Sequence, residues 1–132
     1  MRRINFLFII VLISIIVMFS GCDITPQVEL DNFVTDLDLI SRFEKIAFNI
    51  EFGRWSQIFQ EDIEYLIQDL ETFEGTHEKS LSVNTKFIKS ANAFLDSSRY
   101  YFEKNDYQAK LSYTYAKEKY EEALVEYYKF VQ

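Results

Sequence analysis

A seven-residue repeat near the carboxyl end of the chain constrains its fold more than any other feature. Alanine recurs every seven residues at Ala109, Ala116 and Ala123, and tyrosine does the same, offset by four, at Tyr113, Tyr120 and Tyr127. Positions separated alternately by four and three residues fall on one side of an α-helix. The repeat therefore predicts a long helix over 107–131. Alanine lets the backbone of a neighbouring helix come close, and tyrosine fills the space on either side.

Three further helices are predicted upstream, over about 27–52, 55–74 and 81–104. The residues expected on their main apolar stripes are Phe33, Leu37, Ile40, Phe43, Ala47 and Ile50 in the first, Phe59, Ile63, Leu66, Leu70 and Phe73 in the second, and Phe87, Ala91, Phe94, Ser98 and Tyr101 in the third. The first helix is expected to be apolar on most sides, because Val34, Leu39, Ile46 and Phe48 lie off its stripe. Ser80 or Ser82 is expected to cap the third helix. The turn before the fourth helix is expected at Asn105-Asp106, with Asn105 left-handed and Asp106 as the N-cap.

The class of fold also follows from what the sequence lacks. After Cys22 the chain has one proline, Pro26, only two glycines, Gly53 and Gly75, and no runs of alternating β-branched residues. We therefore predict an all-α domain over 29–132, arranged as an antiparallel up-down-up-down four-helix bundle because short loops join neighbouring helices. The alternative is a three-helix bundle in which Gly53 only bends one long first helix. Pro26 either starts that helix or keeps the segment 22–28 extended as a tether.

The beginning of the chain has the organisation of a secretory signal. Arg2 and Arg3 precede a stretch of sixteen uncharged, mostly apolar residues, 4–19, which is followed by Ser20-Gly21 and by Cys22, the one cysteine of the chain. The ending Phe19-Ser20-Gly21-Cys22 resembles the lipobox of bacterial lipoproteins. The resemblance implies that Cys22 is lipidated with a diacylglyceryl group and that residues 1–21 are removed. The alternatives are an uncleaved membrane anchor, which needs about 20 apolar residues, or an ordinary secretory signal.

The charge of the chain limits its partners. Two of the 14 basic residues and none of the 21 acidic residues precede Cys22, so the remainder carries a formal net charge of −9, against −7 for the whole chain. Such a charge repels nucleic acid and anionic lipid headgroups. The expected membrane contact is therefore the lipid on Cys22, at the extracytoplasmic face of the cell membrane. Two acyl chains on one cysteine suffice for stable anchoring.

A second, weaker resemblance lies in the last helix. Asn105-Asp106-Tyr107 with Ala109, Tyr113 and Ala116 resembles the A-to-B helix pattern of tetratricopeptide repeats, and Tyr120 to Tyr128 resembles it again. The spacing from Tyr107 to Ala109 is one residue short of the motif, both matches fall on one predicted helix, and no 34-residue period occurs. The resemblance implies helix-pair packing and, as an alternative function, a tetratricopeptide-like scaffold.

No residue pattern indicates catalysis or a cofactor. Glu74-x-x-His77 has the spacing of a di-iron ligand pair, but such a site needs two Glu-x-x-His pairs and the chain has one histidine. The acidic residues are expected to form a solvated surface. No G-x-S-x-G nucleophile motif and no glycine-rich phosphate loop are present. We therefore predict that the chain is not an enzyme.

The tyrosines indicate where the chain makes contacts. Eight of the nine lie between residues 100 and 128. Several apolar residues of the last helix project away from its buried side, and exposed tyrosine is enriched at protein interfaces. The predicted interaction face is Tyr107, Leu111, Tyr115 and Tyr128, interrupted by Glu118, Glu121 and Glu122. The predicted function is a membrane-anchored protein-interaction or structural module whose partner is another envelope protein. A carrier of a small apolar ligand, with a cavity of roughly 300 Å³ or more, is the alternative.

Overall fold

The computed structural model describes residues 24–132, and this part of the chain is all-α, with five helices and no strand. The helices are α1 (Pro26–Asp36), α2 (Leu39–Glu51), α3 (Gln57–Glu71), α4 (Glu78–Phe102) and α5 (Asp106–Val131). Pro26 starts α1, and the hydroxyl of Thr25 accepts a hydrogen bond from the Val28 N–H at 3.3 Å as its N-cap. Pro26 was expected either to start a helix or to keep the segment 22–28 extended, and the structure shows it at the start of a helix.

The predicted first helix, 27–52, is two helices. α1 ends at Asp36 with Leu37 as its C-cap. Asp38 takes the left-handed conformation with φ 50°, and its N–H bonds the Thr35 carbonyl at 3.0 Å. Aspartate tolerates this conformation better than most residues, which explains a break with neither glycine nor proline. A four-helix bundle is therefore not confirmed, because the described residues form five helices.

The predicted stripe on these two helices lies at the edge of the core. Of the stripe predicted for 27–52, only Phe43 is fully buried. The other five stripe residues are partly buried and pack against the core, and its buried positions in α1 and α2 are Leu30, Val34, Leu39, Phe43 and Ile46. The break at Asp38 separates two helices, so one stripe counted through both misses the positions at the centre of the core.

Gly53 terminates α2. It follows the C-cap residue Phe52 with φ 66°, its N–H bonds the Ile50 carbonyl at 3.1 Å, and the Arg54 N–H bonds the Asn49 carbonyl at 2.8 Å. This pair of bonds is a Schellman motif, in which a left-handed residue satisfies the last carbonyls of a helix. The single long helix through Gly53 is therefore wrong.

The turn between α4 and α5 is a second Schellman motif, displaced by one residue from the prediction. Lys104, not Asn105, is left-handed, with φ 58°, and the Asn105 N–H bonds the Tyr100 carbonyl at 2.9 Å. Asn105, not Asp106, is the N-cap of α5, since its side-chain oxygen accepts the Gln108 N–H at 3.2 Å. The tight turn makes α4 and α5 antiparallel neighbours.

Small residues bring α4 and α5 together along their length. The hydroxyls of Ser90 and Ser97, seven residues apart on α4, donate to the carbonyls of Ala116 and Ala109, seven residues apart on α5, both at 2.7 Å. A bond from a short side chain to the backbone of another helix requires that the two helices be close. The alanine repeat is therefore buried as predicted, and it faces a serine repeat that had not been predicted.

The core is built around Phe43. Its ring stacks on Phe87 of α4 at 5.4 Å and on Tyr120 of α5 at 4.9 Å, measured between ring centroids. The predicted residues Phe59, Ile63, Leu66 and Leu70 of α3 complete the core and are buried. One continuous apolar core thus joins all five helices.

Candidate functional site

The predicted lipidation site, Cys22, lies outside the residues that the structure describes. Within 24–132, every helix is too short or too polar to cross a bilayer.

His77, the one candidate metal ligand, caps a helix. Its Nδ1 accepts the Lys79 N–H at 3.2 Å at the start of α4, and its ring stacks on Phe130 at 5.2 Å. The capping residue is therefore His77 and not Ser80 or Ser82, and Ser80 is buried. No group of three potential metal ligands occurs among the residues described. Glu74 lies in the loop between α3 and α4, and His77 is at the start of α4.

The carboxylates of the described residues lie at the surface, several of them in ion pairs. Glu51 accepts hydrogen bonds from the Tyr113 hydroxyl and from Lys117 Nζ, and these interactions lower its pKa. Glu122 bonds Lys119 Nζ at 2.9 Å, which lowers the pKa of Glu122 and raises that of Lys119. None of the buried polar residues described is acidic. A lowered pKa keeps a carboxylate charged at neutral pH, so neither Glu51 nor Glu122 is suited to act as a general acid.

All four residues of the predicted interaction face are exposed on α5. Tyr107 is 71% exposed and Leu111 48%, whereas Tyr115 and Tyr128 are each 44% exposed. Tyr115 and Leu111 border a groove between α4 and α5 that Ile88 and Ala93 also line. Tyr128 is separated from that groove and contacts Tyr127, whose hydroxyl donates to Asp31 of α1. The four residues thus follow the outer side of α5 over most of its length and do not form one compact patch.

A second exposed apolar surface had not been predicted from the sequence. It lies at the end of the molecule formed by the α2–α3 and α4–α5 loops, and we call it the apical cluster: Phe48, Phe52, Trp55, Ile58, Tyr101 and Phe102. Phe52 is 63% exposed and Ile58 72%. The Trp55 ring stacks on Tyr101 at 4.5 Å, so the α2–α3 loop contacts the last turn of α4. Phe48 contacts Phe52 at 4.4 Å. Phe48, an apolar residue off the predicted stripe, was the one sequence signal for this surface.

A groove of about 330 Å³ opens between α2 and α3. Its floor contains Ile46 and Phe59, and Lys45, Asp62 and Tyr65 stand among its lining residues. Arg42, at the same groove, is held by Asp69 at 2.8 Å. The volume reaches the lower limit for a small-molecule site, but the groove lies between the helices at the surface and not in the core.

Comparisons with known proteins give no relatives. No family model matches the sequence, and no curated protein and no solved structure is significantly similar to it. A function for this chain therefore has to be inferred from its own residues and geometry.

Proposed function

We propose that this chain is a lipid-anchored helical module of the cell envelope, held at the extracytoplasmic face of the membrane through Cys22, which binds another envelope protein. The anchor is supported by the sequence Phe19-Ser20-Gly21-Cys22 after an uncharged stretch. The acidic surface disfavours nucleic acid as the partner. The observation that carries the binding role is the apical cluster, because exposed apolar surface of this kind marks protein–protein interaction sites.

The finer architecture that we propose is an antiparallel four-membered bundle in which α1 and α2 together occupy one position. Three contacts with α5 support it, because they follow each other in antiparallel order along both partners. Asp31 of α1 meets Tyr127, the Ile40 carbonyl of α2 accepts from Tyr120, and Glu51 at the end of α2 meets Tyr113. The break at Asp38 then bends one member of the bundle without removing it.

The anchor and the apical cluster lie at opposite ends of this bundle. The start of α1 is beside the start of α4, where the Ser80 hydroxyl is 3.5 Å from the Pro26 carbonyl. The apical cluster adjoins the other end of α4, about 37 Å away for 25 residues. Cys22 precedes Thr25 by three positions, a reach of at most about 11 Å. A membrane that holds Cys22 therefore leaves the apical cluster uncovered.

Residues of the apical cluster have the properties of binding hot spots. Tryptophan and tyrosine are enriched among residues that dominate binding energies, and Trp55 and Tyr101 form a stacked pair here. Arg54 lies above the Phe48 ring at 5.3 Å, so a cation flanks the aromatic surface. A partner that buries Phe52 and Ile58 would remove two strongly exposed apolar side chains from water.

Cross-linking in the native membrane tests the binding role. The full-length chain is expressed with an affinity tag, membranes are treated with a mild cross-linker, and captured proteins are identified by mass spectrometry. We expect one envelope protein to be enriched, and we expect the double variant Phe52→Ser, Ile58→Ser to reduce its recovery at least fivefold. The matched control is Leu81→Ser, an exposed residue of α4 outside the cluster. Equal recovery with the double variant and the control would reject the apical cluster as the binding surface.

The anchor is tested separately. Labelled palmitate should enter the full-length chain, and its intact mass should lack residues 1–21. The variant Cys22→Ala should remove the label. A chain that carries no label and retains residues 1–21 would contradict lipid anchoring, whatever the cross-linking result.

The groove between α2 and α3 is the observation that favours a carrier function as a second candidate. An apolar floor with a few polar groups at the rim is the usual composition of a small-molecule site. Fluorescence of Trp55, the single tryptophan, would follow binding of a fluorescent aromatic probe such as anilinonaphthalene sulfonate. We expect Phe59→Ala to weaken saturable probe binding if the groove is the site. Non-saturable binding by the unaltered chain would argue against a carrier.

A further inference from the structure

The groove between α2 and α3 carries two opposite charges that do not meet. Lys45 lies on the α2 side and Asp62 on the α3 side, and both side chains are exposed. The two helices do form an ion pair at this groove, where Arg42 Nη1 is 2.8 Å from the Asp69 carboxylate. Among the ion pairs of residues 24–132, none involves Lys45 or Asp62. The groove therefore presents one positive and one negative group to a ligand.

The floor between these two charges is apolar. Ile46 and Phe59 are each 5% exposed and belong to the continuous core of the domain. An apolar group that lies on them is removed from water, which favours binding. The groove has a volume of about 330 Å³, close to the lower limit for small-molecule sites. These dimensions favour a small ligand with an apolar part.

Charge restricts the ligand further. The Arg42–Asp69 pair is neutral, and Lys45 and Asp62 together are also neutral. An anion attracted to Lys45 would come close to Asp62, and a cation attracted to Asp62 would come close to Lys45. An uncharged apolar molecule would cover both charged groups without replacing their contacts with water. A ligand that carries one charge of each sign avoids all three penalties.

We propose that this groove binds a free α-amino acid with an apolar side chain. The ligand carboxylate accepts hydrogen bonds from Lys45 Nζ, its ammonium donates to the Asp62 carboxylate, and its side chain lies on Ile46 and Phe59. Both polar contacts are hydrogen bonds between charged groups, the stronger kind. A free amino acid carries its two charges on one carbon, so facing helices can hold both at once. Such binding rests on the carrier function, the second candidate for this chain, and specifies the chemical class of its ligand.

Calorimetric titration of the detergent-solubilised full-length chain tests this class of ligand. L-Leucine is compared with leucinamide, which lacks the carboxylate, with isocaproate, which lacks the ammonium, and with serine, which keeps both charges but has a polar side chain. We expect saturable binding of leucine, and binding of the other three that is weaker by about tenfold or more, because each loses one contact. Absence of saturable leucine binding would overturn the proposal, as would equal binding of leucinamide or isocaproate.

Two variants test whether the ligand occupies the groove. Lys45→Met should reduce the preference for leucine over leucinamide, and Asp62→Asn should reduce the preference for leucine over isocaproate, because each removes the partner of one charged group. The matched controls are Lys89→Met and Asp36→Asn, which alter exposed residues of α4 and α1 outside the groove. They should leave both preferences unchanged. If Lys45→Met and Asp62→Asn also leave them unchanged, the ligand does not lie between these residues and the proposal is overturned.

The carrier function and this class of ligand can fail separately. Saturable binding of anilinonaphthalene sulfonate that Phe59→Ala weakens supports a binding groove, whatever its natural ligand. If this probe binds and leucine does not, the amino acid proposal is overturned and the carrier function stands. If neither binds, both are overturned. Neither result bears on the apical cluster, which cross-linking tests.

Discussion

The two parts of this domain pack by different means. α4 and α5 are long, with 25 and 26 residues, and they meet through alanine and serine with hydroxyls bonded to carbonyls of the facing helix. α1, α2 and α3 have 11, 13 and 15 residues and bury only large apolar side chains. Within residues 24–132, all five buried polar residues lie on α4. Small residues at a strict spacing hold two helices close, whereas large side chains hold helices further apart.

The functional surfaces divide in the same way. The α4–α5 pair exposes Tyr107, Leu111, Tyr115 and Tyr128 along the outer side of α5, because the side of a helix opposite its buried repeat faces solvent. The short helices and their loops supply most of the apical cluster and the groove between α2 and α3. The regular surface of the α4–α5 pair is therefore suited to contact with another helix. The irregular end of the molecule that carries the apical cluster is suited to partners of other shapes. Substitutions in each part can show whether the two parts depend on each other, and how rigid each one is.

Removing the side chain that joins the two parts should have the largest effect. Phe43 of α2 is fully buried and stacks on residues of both α4 and α5. We expect Phe43→Ala to lower the free energy of unfolding by about 3–5 kcal/mol, measured by urea denaturation followed by circular dichroism. The control Phe48→Ala truncates a side chain of the same helix that is 46% exposed, and it should cost far less. Similar losses would mean that α2 does not join the two parts.

Enlarging the small-residue seam should cost less, but should distinguish the two parts. Ala116 is fully buried, and its carbonyl accepts the Ser90 hydroxyl. We expect Ala116→Leu to destabilise the domain by about 1–3 kcal/mol because the helices must separate to admit the side chain. The same substitution at Ala47, a partly buried residue of α2, should be nearly neutral in the same denaturation experiment. Equal tolerance at both positions would contradict close approach of α4 and α5.

Alkaline pH should weaken the attachment of α1 and α2 to α5. Burial raises the pKa of Tyr120 above its usual 10, and burial with the hydrogen bond to Asp31 raises that of Tyr127. A raised pKa means that the unfolded chain loses these protons first. The stabilisation is therefore fully present below pH 10 and is lost as pH rises above it.

The expected loss for each of these tyrosines is about 1.4 kcal/mol in total between pH 9 and 11, with a slope that approaches about 1.4 kcal/mol per pH unit only above pH 11. It is read from urea denaturation at pH values in this range. Tyr120→Phe should flatten this dependence, because phenylalanine has no proton to lose. Tyr65→Phe, which alters a side chain that is 59% exposed, is the control. An unchanged slope in Tyr120→Phe would show that Tyr120 is not responsible.

Sequence periodicity predicted the regular part of this domain better than the irregular part. The spacing of Ala109, Ala116 and Ala123 correctly predicted a buried side of α5, because no backbone irregularity interrupts the helix. It missed the break between α1 and α2, because Asp38 is left-handed with no glycine or proline near it.

The outer side of α5 could be predicted from the sequence, whereas the apical cluster could not, because only the first depends on a regular repeat. Exposure on α5 follows from its buried repeat, so Tyr107, Leu111 and Tyr128 could be identified from the sequence. The apical cluster depends on how two loops meet in space. The stacking of Trp55 on Tyr101 joins residues far apart in the chain, and no local pattern encodes that contact.

The smallest expected effect compares the two Schellman motifs, one in each part. Both end a helix with a left-handed residue, glycine at position 53 and lysine at 104. A side chain in this conformation costs roughly 1 kcal/mol. A methyl group at Gly53 would meet no atom within 4 Å, so the cost of Gly53→Ala should be conformational only, about 1 kcal/mol.

Lys104→Gly should relieve the corresponding cost and stabilise the domain by up to about 1 kcal/mol, reduced by the greater freedom of glycine in the unfolded chain. Urea denaturation resolves differences of this size by the midpoint shift. Destabilisation by Lys104→Gly would mean that contacts of the lysine side chain outweigh its backbone strain, and that the α4–α5 turn is held by more than its backbone hydrogen bonds.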